Sequence, residues 1–109
     1  MKKLPLIVLY VTFPNLSSAR RLGKRVVEEK LASCVNILGK VESIYRWKQT
    51  LHQEKECAVL LKAPKHRASQ LTQRIAELHP YDCPCIVQLP IESGYEPYLT
   101  WLAGQCKAQ

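Results

Sequence analysis

Between Cys34 and Ala63 the chain reads CVNILGKVESIYRWKQTLHQEKECAVLLKA. Valine, isoleucine, tyrosine and tryptophan dominate its first half, and such residues suit a pleated, half-buried strand. Gly39 stands inside that run, where a glycine predicts a bend or bulge. Gln49–Gln53 (QTLHQ) is expected to turn, although it lacks the Asn-Gly pair of a tight hairpin. From Glu54 to Ala63 the pattern alternates and then becomes continuously apolar. The reading is a hairpin with strands of about fifteen and about ten residues, where strands usually run 3–10. A hairpin that outgrows its own sheet must bury its far end elsewhere. Another subunit is the natural candidate, because an exposed apolar edge aggregates.

Elements on either side complete a pattern. Leu6–Thr12 (LIVLYVT) is a continuous β-branched and apolar run, suited to a strand buried on both faces. Pro14-Asn15 breaks it. Leu16, Ala19, Leu22, Val26, Val27 and Leu31 then recur at helical spacing, with Asn15 or Ser17 as cap. Pro64 suits the first position of a second helix carrying Ala68, Leu71, Ile75 and Leu78, which ends before His79-Pro80. Cys85–Ile91 (CIVQLPI) is a fourth strand, stopped by Pro90. Pro97 starts a short last helix with Tyr98, Leu99, Trp101 and Leu102 inward. The order β-α-β-β-α-β plus a terminal helix is the α+β, ferredoxin-like split pattern: an antiparallel sheet with two helices on one face. At 109 residues, positions 1–109 form a single domain.

Sixteen Lys and Arg against nine Asp and Glu give a net charge of +7. The charge is scattered as Lys2-Lys3, Arg20-Arg21, Lys24-Arg25 and Lys65-His66-Arg67, which reads as a solvated basic surface. The glycine-aromatic strand motif of RNA-recognition modules is absent, so no nucleic-acid partner is expected. Five cysteines cannot all pair within one chain, and their spacing matches neither a disulfide scaffold nor a CxxC zinc pair. A reducing, cytoplasmic setting fits best. MKKLPLIVLYV resembles a signal peptide and LASC (Leu31–Cys34) a lipid-attachment box, but KRVVEEK just before the latter is no apolar core. No apolar run reaches the ~18 residues of a membrane span, so no membrane partner is expected.

The chemistry concentrates in HPYDCPCIVQLP, His79–Pro90. Cys83 precedes a proline and should be extended, which puts Cys83 and Cys85 on the same side of the chain. At roughly 6.6 Å between Cα atoms a strain-free disulfide is disfavoured. Two readings stand: a thiolate pair sharing a soft metal with His79 assisting, or two inert cysteines packing as small hydrophobes. Tyr45 and Trp47 alternate on one face of the long strand and suit a groove or an interface. Trp101 reads as core. Lys62 ends an apolar strand, where it either meets an acidic partner or pocket, or snorkels to the surface. There is no phosphate loop, paired-carboxylate signature, HExxH or nucleophile elbow, so no enzymatic activity is expected.

VEEKLASCVNI, SIYRW, LLK, HPYDCPCIVQLPIESG and YLTWL together resemble the divalent-cation-tolerance (CutA) family, in its order and spacing from Ile7 to Leu102. The resemblance implies an interlaced homotrimer with long hairpins crossing between neighbours. It also implies binding of copper or other divalent metal ions, a role in metal tolerance and the response to metal ion, and no established catalysis. An inter-subunit cleft would map onto Tyr45, Trp47, Lys62, His79 and Tyr81, with His79 the candidate metal ligand. Cys34 matches a family cysteine. The trimer's shape also resembles the PII signalling proteins, which supplies an alternative: a sensor holding a small anionic ligand through Lys62. The chain departs from the family pattern at Cys85, where a glutamate is usual, so the resemblance with this change points to Cu(I), Zn or Cd held by His79, Cys85 and Cys83. It departs also at Val11, at Lys48-Gln49-Thr50 in the turn, and at Gly39-Lys40 in the bend.

Overall fold

The structure is a computed structural model and describes residues 5–106. Its elements are β1 (Leu6–Phe13), α1 (Leu16–Glu28), β2 (Cys34–Trp47), β3 (Thr50–Pro64), α2 (Ala68–Leu78), β4 (Ile86–Ile91) and α3 (Glu96–Gly104). The four strands form one antiparallel sheet in the order β2-β3-β1-β4. The expected α+β split pattern, with its extended β2–β3 hairpin and terminal helix, is the observed one.

Alternation builds the core. Ile7, Leu9, Val11 and Phe13 of β1 and Cys57, Val59, Leu61 and Ala63 of β3 pack against α1 (Ala19, Leu22, Val26) and α2 (Ala68, Leu71, Ile75). Asn15 caps α1: its Oδ1 accepts from the Ser18 amide at 2.8 Å. Arg74 of α2 donates from Nε and Nη2 to the two carboxylate oxygens of Glu29, at 2.8 and 2.9 Å. That fork, with Arg25 beside it, holds the Glu29 carboxyl at about 2 and ties the two helices together.

Four local expectations give way. The turn lies at Lys48-Gln49, not across Gln49–Gln53, so β3 starts at Thr50 and runs 15 residues. Both turn residues take positive φ, 50° and 67°, a conformation usually signalled by Asn-Gly. Pro64 ends β3 opposite Leu6, and a 3-10 turn (Lys65–Arg67) precedes α2; proline's fixed φ serves an extended strand end equally well. Pro90 does not stop β4, which continues to Ile91. β4 is an edge strand, with one side that needs no N–H donor. Trp101 is not core: it is 45% exposed beside Tyr98, and Leu102 is the buried residue of α3. Gly39 does sit at a bulge, with φ 101° and a register shift after Ile37.

β1 covers β3 only from Cys57 to Pro64. Beyond that, Thr50–Glu56 pairs solely with Val41–Trp47. Seven residues at ~3.4 Å each carry this two-stranded ribbon roughly 24 Å past the sheet. The molecule measures 50 × 26 × 22 Å in consequence. The ribbon exposes Ile44 (64%), Leu51 (65%) and Trp47 (48%).

Candidate functional site

The sequence ends α2 at Leu78 because Pro80 disfavours continuing it. The chain from His79 to Cys85 then passes the end of β1 and enters β4 at Ile86, which pairs with Val11. His79 anchors this loop. The residue is 7% exposed, and its ring stacks on Phe13 with centroids 4.7 Å apart. The Tyr81 amide donates to Nδ1 at 3.1 Å, so the other nitrogen carries the proton and Nε2 donates to the Thr12 carbonyl at 2.8 Å. Burial lowers its pKa, partly offset by the Thr12 bond and Glu56, and favours the neutral ring these partners require. With both nitrogens engaged, His79 offers no lone pair outward in this arrangement.

Tyr81 leans across His79, ring centroids 4.9 Å apart, and its hydroxyl donates to Glu56 Oε1 at 2.9 Å. Burial and then that carboxylate push the phenol's pKa upward. The loop and the projecting ribbon of the hairpin thus flank an open cleft of about 820 Å³. Tyr45, Trp47, Glu54 and Glu56 line the hairpin wall; Tyr81, Asp82, Cys83 and Cys85 line the loop wall. Register explains the hairpin wall. Tyr45 opposes His52 and Ser43 opposes Glu54, so alternation sends Tyr45, Trp47, Glu54 and Glu56 to one face. Tyr45 stacks on His52 at 5.2 Å, and its pKa is raised by desolvation first and then by Glu54.

The structure therefore brings together Tyr45, Trp47, Tyr81, Cys83 and Cys85, with His79 beneath them. Both thiols are exposed. Lys62 is elsewhere: its ammonium donates to the Tyr98 hydroxyl at 3.3 Å and lies 5.2 Å from that ring's centroid. Sequence reasoning missed Glu54, Glu56 and Asp82 as site residues. The i, i+2 spacing of Glu54 and Glu56, opposite an aromatic strand, was the available signal. No lining residue is Lys or Arg, on a chain of net charge +7. Among the described residues no three His, Cys, Asp or Glu side chains cluster closely enough to hold a metal ion by themselves. Nor is any helix among them long and apolar enough to cross a membrane.

The family model for CutA1 divalent ion tolerance protein matches residues 7–105. The divalent-cation tolerance protein CutA of Thermus thermophilus is 43% identical over 95 residues, 87% of this chain and 92% of that one. The chloroplastic protein CutA of Arabidopsis thaliana is 39% identical over 106 residues, 97% of this chain. The chain spans 58% of that relative's length and 62% of a Xenopus laevis homologue's. Among solved structures, CutA1 of Oryza sativa superposes with TM-score 0.93 at 36% identity, covering 98% of each chain. One from Archaeoglobus fulgidus, described as a periplasmic divalent cation tolerance protein, gives 0.90 at 31%, covering 94% of this chain and 99% of that one.

Proposed function

The chain belongs to the CutA1 divalent ion tolerance family, and from that premise we propose that it binds copper or another divalent metal ion as a cytoplasmic homotrimer contributing to metal tolerance. One observation carries this reading: a basic protein has gathered three carboxylates and two exposed thiols around one cleft and kept every Lys and Arg out of its lining. Such a lining attracts cations. A small anionic ligand bound through Lys62 lacks that support, since its ammonium is turned to Tyr98.

Cys83 and Cys85 are the proposed metal ligands, and Asp82 on the same loop adds negative potential to the cleft. Thiolates favour Cu(I), Zn(II) and Cd(II) over hard ions. His79 acts through the loop: it fixes the segment that presents the thiols. Two thiols leave the remaining donors to water or a neighbouring subunit. The overhanging ribbon with exposed Ile44, Trp47 and Leu51 supports the assembly, and the family resemblance supplies the number three. The odd number of cysteines and their spacing, which match no disulfide scaffold, support a reducing compartment. No catalytic role is proposed.

Anaerobic titration of Zn(II) and Cu(I) into the wild type and a Cys83→Ser/Cys85→Ser variant tests the thiol assignment. The variant should bind at least ten-fold more weakly, about 1.4 kcal/mol, with its assembly unchanged. Equal affinity would refute it.

A further inference from the structure

We infer that the outer face of α1 is a docking surface for a short acidic segment of a partner protein, gripped by Arg20, Arg21, Lys24 and Arg25. The inference is independent of the metal reading, since it uses another face of the molecule and other residues.

The stretch Arg20–Arg25 reads RRLGKR, four cations in six residues. At about 3.6 residues per turn the helix sorts them by side. Leu22 and Gly23 are buried, with Gly23 against Val35 of β2, while Arg20, Arg21, Lys24 and Arg25 are all exposed. The apolar surface that calls for neighbouring copies lies elsewhere. It is on the ribbon and on the helix-free face of the sheet, where Val87 and Leu89 point, paired with Tyr10 and Val8. Helix stability does not ask for the cations. Arg20 with Lys24, and Arg21 with Arg25, are like-charged pairs one turn apart, which cost a helix rather than support it. The acids Glu28 and Glu29 stand at the C-terminal end, where the dipole favours cations. Glu29 engages Arg25 and Arg74, which leaves Arg20 and Lys24 with no carboxylate partner among the described residues. Arg21 reaches only the Ser17 hydroxyl, at 3.5 Å. Extent then selects the partner. The patch covers roughly 8 Å of helix axis. It is bounded by Glu28, and α2 beside it exposes Gln70, Gln73 and Glu77. A duplex or a bilayer carries its charge far beyond that length and would meet those carboxylates. A few Asp or Glu on one turn of a partner match it in extent and sign, and guanidinium forks grip carboxylates two oxygens at a time.

The probe is a fluorescein-labelled helical peptide with glutamates in adjacent pairs one turn apart, titrated with the full-length protein at low ionic strength and read by anisotropy. Binding should saturate and weaken as salt is added. Arg20→Gln/Lys24→Gln should bind the peptide about five-fold or more weakly, with native mass unchanged and melting temperature unchanged or higher. Lys48→Gln/Lys65→Gln removes the same charge elsewhere and should bind as the wild type does. Arg20→Glu/Lys24→Glu should lose the acidic peptide and gain its lysine counterpart. Absence of saturable binding overturns the inference, as does an equal loss in the Lys48/Lys65 variant, which would mark binding to net charge alone. A fall in native mass in the Arg20/Lys24 variant would make a second copy of this chain the occupant and overturn it too. So would tighter, Arg20- and Lys24-dependent binding of duplex DNA or of phosphatidylserine vesicles, which would make phosphate the ligand.

Discussion

At the scale of single residues, His79 shows how position outranks residue type. An imidazole at a Pro-bounded corner beside two cysteines invites a metal-ligand reading. In the fold its nitrogens close a bridge between Thr12 and Tyr81, and its ring packs on Phe13. His79→Ala should therefore leave a buried carbonyl and amide without partners and open a void. The expected cost is about 2–4 kcal/mol, read as a lowered denaturant midpoint. His79→Gln, which can donate and accept, should recover part of it. The pH dependence follows from a folded pKa lying below the ordinary value. Below about 6.5 the unfolded chain takes up a proton that the folded chain refuses, so stability falls as pH drops through that window. The Gln variant should flatten this slope in denaturant titrations between pH 7 and 5. The corner, the thiols and the aromatic pair were legible in the sequence. The role of His79 was not, because Thr12 lies 67 residues away.

Among the elements, the β2–β3 hairpin controls most of the geometry. Its existence and excess length could be read from composition, and Gly39 marked its bulge. Its turn could not be read, because Lys48 and Gln49 occupy left-handed backbone without the glycine or asparagine that normally announces it. Such a conformation costs an L-residue roughly 1–2 kcal/mol. Gln49→Gly should accordingly stabilise the protein by about 0.5–1 kcal/mol, after the extra freedom glycine gains in the unfolded chain. A higher denaturant midpoint at unchanged m-value is the expected readout. Gly39→Ala should do the opposite. Its added Cβ would meet nothing within 4 Å, so the cost comes only from φ 101°, about 1–3 kcal/mol. The same length of hairpin places Tyr45, Trp47 and Glu54 opposite the loop. Trp101 was misjudged because α3 is short and buries just Leu102 fully among its residues. A large aromatic on such a helix reads as core only if the helix is flanked on both sides.

For the whole molecule, two features outrun a single chain. Lys and Arg are distributed over helices, strands and turns, while three carboxylates and two thiols line the cleft with no Lys or Arg among them. The ribbon of Val41–Glu56 leaves its own sheet and exposes Ile44, Trp47 and Leu51, a liability unless neighbouring copies cover it. Leu51→Lys should then weaken assembly while leaving the sheet and core intact, seen as a concentration-dependent loss of mass with unchanged far-UV circular dichroism. The sequence showed the overhang as excess strand length, and the fold locates it beyond the end of β1. The proposed assembly requires that overhang to be clasped by two further copies. The native mass of the purified protein at micromolar concentration tests this most directly. The account predicts a trimer of about 37.5 kDa, three times the 12.5 kDa chain; a stable 12.5 kDa monomer under the same conditions would contradict it.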